Sequence, residues 1–318
     1  MTPIRPSSFA AALGAVALLG TGCASKPTSQ TTSTTIETAR DDVSVTVFAS
    51  GPRYSVNAHL IAAPLGLVLI DTLRTRQDVE AVIADIRGRT APLAGILLTH
   101  THPDHIGGLD ALRAAFPDAP IYASALTTSD IQEDRTGMIA SGRRFVRGFG
   151  PDVPTPTHEA SGAQSFMLAG LLIEPVLIGP GEAESMTLYL IPELGVLAAG
   201  DLAGTGMTPW IVEGRSGAWL AQVNQIQDRF SDMPLLLPGH GTPGPAGSIL
   251  EEQASYLVTF RGLVGERTQD GALSSKDRRE IAAELTRRFP ASDQVAPMSN
   301  LMDANIKAIA AELQSAQK

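Results

Sequence analysis

The chain has 318 residues, 43% of them hydrophobic, and 24 basic against 33 acidic side chains give it a net charge of −9. That is apolar material enough for one large domain or two smaller ones. No basic patch stands out, so phosphate-backbone binding has no electrostatic support and nucleic acid is not an expected partner.

The N-terminal stretch MTPIRPSSFAAALGAVALLGTGCAS, residues 1–25, sets Arg5 before an apolar run from Phe9 to Leu19, then small residues ending at Cys23. The run is too short and too rich in Ala and Gly for a stable membrane span, and it reads as a secretory signal peptide. Cys23 is the only cysteine, so no internal disulfide can form. The segment resembles a bacterial lipoprotein signal, in which this cysteine becomes the lipidated first residue. It departs from that pattern in placing its large apolar residue, Leu19, four positions before the cysteine instead of three. Ordinary cleavage near Ala24 is the alternative. Both readings export the protein, as a periplasmic species or a cell-envelope lipoprotein with a membrane tether at Cys23. Residues 26–42 are polar, Thr/Ser-rich and aperiodic, and are expected to be a flexible linker.

From residue 43 the pattern is globular. VSVTVFAS, YSVNAHLIAA and GLVLIDT read as strands separated by turn residues. TRQDVEAVIADIRGR spaces Val79, Val82, Ile83 and Ile86 as a helix does, and LAGILLTH reads as a buried strand. GGLDALRAAFP reads as a short helix and IYAS as a strand, and 125–165 as a helix followed by a long loop. Two strand pairs follow, in SFMLAGLLIEPVLIG and in MTLYLI with VLAAGD. Then come an amphipathic helix, SGAWLAQVNQIQDRF, and a strand, PLLLPGHG. Beyond 247 the pattern is helical throughout. Strand-rich segments with helices thus occur twice, suggesting two similar halves packed sheet to sheet with helices outside.

Three of the six histidines fall within THTHPDHIGG. His100 and His102 share a face if the strand continues, and the turn at Pro103 brings Asp104 and His105 to a second position. Imidazoles and a carboxylate at this density, at a strand end, suit Zn²⁺ or a similar divalent ion. His59 reads as a core residue, His158 as solvated, and Trp219 as core packing. Trp210 could line a pocket and Tyr189 could face either way. Neither a G-x-S-x-G elbow nor a Walker loop is present, so a serine hydrolase and a nucleotide enzyme are not supported.

THTHPDH resembles the H-x-H-x-D-H signature of the metallo-β-lactamase superfamily. The resemblance continues in order over residues 44–245, through GLVLIDT, VLAAGD and LPGHG, although Leu73 stands where Gly commonly follows the DT pair. It implies an α/β fold, the αββα four-layer sandwich, over 43–247, with 248–318 as a C-terminal helical extension. It implies metal ligands at His100, His102, Asp104, His105, Asp201 and His240. The family's remaining His falls in a slot occupied here by GPGEAES, which places Glu182 there, with Glu184 as the alternative. Some alkylsulfatase-like relatives are similar in using Glu. The first metal would take His100, His102 and the Glu; the second would take Asp104, His105 and His240, with Asp201 bridging. Asp71 would hold a ligating imidazole. The cofactor implied is a pair of divalent metal ions, Zn²⁺ first, with Mn²⁺ or Fe suited to so oxygen-rich a set.

The function implied is an exported binuclear metal-dependent hydrolase. A metal-bound hydroxide would attack an ester, lactone or related small-molecule substrate, and Asp104 would orient the nucleophile or carry its proton. An iron-dependent oxidoreductase of the persulfide dioxygenase type, a β-lactamase and a non-catalytic binding protein are the alternatives.

Overall fold

The computed structural model describes residues 31–51, 56–268, 273–292 and 300–316. The expected signal peptide and Cys23 lie outside them. A first sheet takes its strands in chain order: β1 (Thr31–Glu37), β2 (Ser44–Ser50), β3 (Asn57–Ala63), β4 (Gly66–Ile70), β5 (Leu93–Leu97), β6 (Ile121–Ala123) and β7 (His158–Glu159). Pairing is antiparallel from β1 to β4 and parallel from β4 to β7. A second sheet joins β8 (Phe166–Leu168), β9 (Leu171–Ile178), β10 (Met186–Ile191), β11 (Val196–Gly200) and β12 (Leu235–Pro238), with only β11 and β12 parallel.

The layers follow from side-chain alternation along each strand. In β4, Val68 and Ile70 point between the sheets, while Leu67 and Leu69 point outward under helices. In β10, Tyr189 and Ile191 point inward, while Met186, Leu188 and Leu190 point outward. A strand buried on both faces has no polar face, which is why these strands read as continuous apolar runs. Each such Leu or Ile contributes roughly 1.5–3 kcal/mol by leaving water.

The helices outside the first sheet are α1 (Glu80–Gly88), α2 (Pro103–Ile106), α3 (Leu109–Ala115), α4 (Ala125–Glu133) and α5 (Met138–Phe145). Val82, Ile86, Leu109, Leu112, Ile131 and Ile139 supply their buried faces. Outside the second sheet lie α6 (Ser216–Phe230), α7 (Ala246–Thr268), α8 (Ser275–Arg288) and α9 (Leu301–Ser315). Leu257 and Phe260 of α7, Ile281 of α8, and Ile306 and Ile309 of α9 share one apolar cluster with Leu197 and Leu236 of the sheet. The architecture is the expected αββα sandwich, and the C-terminal helices form part of its outer layer.

Two local expectations differ. The linker expected over 26–42 holds strand β1, paired along its whole length with β2 from Thr31 opposite Ser50 to Glu37 opposite Ser44. Threonine suits a strand, and the sheet edge tolerates its mostly exposed side chains, so apolar alternation was absent while pairing was not. Within 125–165, two helices and the short β7 replace one helix and a loop.

Candidate metal centre

Asp71 follows β4, His100 and His102 follow β5, Asp201 follows β11, and His240 follows β12. Glu182 lies in the connection from β9 to β10. All six meet at one rim, where the two sheets are joined by backbone bonds from Thr187 N to Thr99 O (2.8 Å) and from Asn57 N to Gly239 O (2.7 Å). Pro103 opens α2 at its first position, where its missing N–H costs nothing, and turns Asp104 and His105 back toward the rim.

Two groups of ligand-type atoms result. His100, His102, Glu182 and Asp201 form one, Asp104, His105 and His240 the other, with the atoms of each within 4.8 Å of one another. His102 Nδ1 lies 3.1 Å from Glu182 Oε1, and His100 Nε2 lies 3.9 Å from both Glu182 Oε2 and Asp201 Oδ2. Asp201 also reaches the second group, at 3.2 Å from His105 Nε2 and 3.1 Å from His240 Nε2, and His240 Nε2 lies 3.5 Å from Asp104 Oδ2. Bonds of about 2.0–2.2 Å to a common ion place tetrahedral ligand atoms roughly 3.3–3.6 Å apart. The spacing is therefore that of coordination edges around two centres.

Outer partners fix the tautomers of three of the imidazoles, while His240 Nδ1 is buried without a hydrogen-bond partner. Thr99 Oγ1 donates to Asp71 Oδ2 (2.7 Å) and so accepts from His100 Nδ1 (2.9 Å), leaving His100 Nε2 with its lone pair. His105 Nδ1 donates to Asp71 Oδ2 (2.8 Å), leaving Nε2. His102 Nε2 donates to Glu213 Oε1 (2.7 Å), leaving Nδ1. The nitrogens left at His100 and His105, both Glu182 oxygens and Asp201 Oδ1 are buried without a hydrogen-bond partner. Unpartnered buried polar atoms are costly, and here they point at the same space. Among the described residues, the carboxylates Asp71, Asp104, Glu182, Asp201 and Glu213 are paired with two guanidiniums, Arg74 and Arg215, the latter shared with Glu184, so with neutral imidazoles at least three negative charges are left over. The residues fit two divalent ions.

The electrostatics agree. Burial pushes the Glu182 carboxyl up to about 7 against the pull of His102. Burial would lower the pKa values of His102 and His105, but Glu182 and Glu213 raise the first, and Asp201 and Asp71 the second, well above the ordinary histidine value. Burial, with the charges of His105 and His102, lowers that of His100. Burial would raise Asp104, yet Arg74, His105 and His240 hold it below the usual carboxylate range. Without metal, protons thus occupy part of the place that cations would take.

Of the two glutamates open at this slot, Glu182 is 3% exposed and faces His102, whereas Glu184 is exposed and pairs with Arg215 (3.3 Å). His59 is buried with Nε2 on Pro238 O (3.0 Å), and His158 is exposed. Trp219 is core, donating from Nε1 to Leu202 O, and Tyr189 faces inward with its hydroxyl on Leu98 O. Trp210 lies with Glu182, Ile211 and Glu213 around a cleft too narrow to admit a water molecule. Leu73 has φ 60°, a left-handed backbone in which glycine carries no strain, and its fully buried side chain offsets that strain.

Sequence reasoning missed three supports. Arg74 Nη2 holds Asp104 Oδ2 at 3.1 Å, Glu213 holds His102, and Thr99 ties Asp71 to His100. Arg74 follows the DT pair closely enough to have been weighed; Glu213, distant in sequence, carries no local signal.

The sequence profile of the metallo-β-lactamase superfamily matches residues 51–264. The chain belongs to this superfamily. Among curated relatives, it is 21% identical over 210 residues to a metallo-β-lactamase type 2 of Bacillus cereus, covering 64% of this chain and 73% of that protein. It is 29% identical over 148 residues to a hydroxyacylglutathione hydrolase of Thermosynechococcus vestitus, covering 46% of this chain and 50% of that protein. Among solved structures, a metallo-β-lactamase from Pontibacter korlensis superposes with a TM-score of 0.56 at 19% identity, over 72% of this chain and 99% of that one. The inverting sec-alkylsulfatase from Pseudomonas sp. gives 0.61 at 18% identity, over 87% of this chain and 50% of that one.

Proposed function

We propose that the protein is an exported binuclear metal-dependent hydrolase acting on an ester, lactone or related small molecule. Its superfamily includes metallo-hydrolases among the similar proteins, and the observation that carries the reading is the set of imidazoles whose outer nitrogens are hydrogen-bonded and whose inner nitrogens face unpartnered carboxylates. His100, His102 and Glu182 would hold the first ion, Asp104, His105 and His240 the second, and Asp201 both. Divalent ions there supply Lewis acidity and lower the pKa of water. Asp104, fixed by Arg74 and held ionised, would orient the nucleophile or carry its proton. Asp71 keeps His105 in the ligating tautomer.

Glu182 in place of the family's usual third His departs from the common β-lactamase pattern, so an ester or lactone is favoured over a β-lactam. The hydroxyacylglutathione hydrolase similarity points toward acyl transfer to water. Zn²⁺ is the favoured metal, with Mn²⁺ or Fe compatible with the oxygen-rich set. Export through residues 1–25, with a lipid tether at Cys23, completes the proposal. The test is a hydrolysis screen over aryl esters, lactones, sulfate esters and β-lactams with bound metal quantified. Ester or lactone turnover that a chelator abolishes and added metal restores is expected. Bound iron with oxygen uptake on a thiol, and no hydrolysis, would overturn the reading.

A further inference from the structure

His102 donates its outer nitrogen to Glu213, which lies on the segment between β11 and α6, far from THTHPDH in sequence. That segment is tied down at several points. Arg215 donates from Nε to Gly181 O (3.0 Å), next to Glu182, and pairs through Nη2 with Glu213 Oε2. One guanidinium thus links the backbone beside Glu182 to the carboxylate that steers His102.

The segment's two ends are held by α9. Asn305, fully buried, accepts from Ile211 N at Oδ1 (2.9 Å) and donates from Nδ2 to Pro209 O (2.8 Å). Glu312 accepts from Ser216 N (2.9 Å), from the Ser216 hydroxyl and from Gly217 N (2.8 Å), and is itself paired with Arg261 (2.8 Å). The residue before α6, Arg215, makes no side-chain cap. Glu312 therefore caps α6 from another helix, meeting its free N–H groups and the positive end of its dipole. Glu213 sits between these two anchors.

We propose that α9 is a positioning element for the first metal site: Asn305 and Glu312 hold residues 209–217 so that Glu213 presents His102 Nδ1 to the ion. This rests on the reading of His100, His102 and Glu182 as ligands. Partners of ligating histidines typically change metal affinity 10–100-fold when removed.

The test uses the full chain loaded with Co²⁺ and with Zn²⁺, measuring metals per chain, each dissociation constant by chelator competition, the Co²⁺ visible spectrum and the unfolding temperature of the metal-free protein. In Asn305→Ala and in Glu312→Gln, one of two ions should bind at least about 10-fold more weakly, with a changed Co²⁺ spectrum, while the other keeps its affinity. In a Glu213→Ala background, Asn305→Ala should add no further loss, because both act through one contact. Lys307→Ala, on the exposed side of α9, should change neither constant.

If Asn305→Ala lowers only the unfolding temperature, with both ions bound as in the unmodified chain, or if its loss of affinity adds fully to that of Glu213→Ala, the positioning role is wrong and the ligand reading stands. If the unmodified chain holds fewer than two ions, both fail.

Discussion

Replacing Glu182 with Gln should move stability and metal binding in opposite directions. Burial pushes the Glu182 carboxyl up to about 7 from the ordinary value of 4.5. A folded-state value above the unfolded one means that the native state disfavours the charged form. Metal-free stability is therefore lost as pH rises from about 4.5 to about 7, and at pH 8 the full penalty is present. At about 1.4 kcal/mol per pH unit, that penalty is about 3 kcal/mol. Glutamine has the same shape without the charge, so metal-free Glu182→Gln should unfold at a higher temperature than the unmodified protein at pH 8, and at a similar one at pH 5. With metal the sign reverses. The variant lacks an anionic ligand, and a loss of at least about 100-fold in affinity for one ion, about 2.7 kcal/mol, is expected. Thermal unfolding at both pH values, with and without Zn²⁺, reads all four states. A variant that is less stable without metal at pH 8, or equally stabilised by Zn²⁺, would refute the reasoning.

Three further outcomes follow from the same geometry. Because His102 and His105 carry raised pKa values and Glu182 titrates near 7, metal must displace protons: calorimetry in buffers of different ionisation enthalpy should show proton release, and affinity should rise between pH 6 and 8. Arg74→Ala removes the partner of Asp104, so kcat on the substrate found by the screen should fall roughly 10–100-fold, with metal content retained at saturating metal. Gly239→Ala would place a methyl 2.0 Å from Asp201 Oδ1 and 2.8 Å from His105 Cε1, so atomic absorption should find less than two ions per chain even in a folded protein.

The layers and much of the centre were legible because they are written locally. GLVLI alternates its two buried faces within five residues, and THTHPDH packs four candidate ligands around one strand end. Glu182 was legible only as a slot between motifs, ranked over Glu184 by counting from the Gly-Pro-Gly turn, a register uncertain by a residue or two; what the sequence could not reveal is that Glu182 is buried while Glu184 pairs with Arg215 at the surface. Strand β1 was missed because its stability comes from pairing with β2 and not from its own pattern. Glu213, Asn305 and Glu312 were invisible because each acts across a distance in sequence that no local period records. The role of the C-terminal helices likewise depends on contacts with the second sheet and the 209–217 segment.

The most direct test of the account is anomalous diffraction at the metal absorption edge from crystals of protein loaded with Zn²⁺. Two peaks about 3.5–4 Å apart are predicted, one bonded to His100, His102 and Glu182, the other to Asp104, His105 and His240, with Asp201 touching both. A single peak, or two peaks with Glu182 bonded to neither, would contradict it.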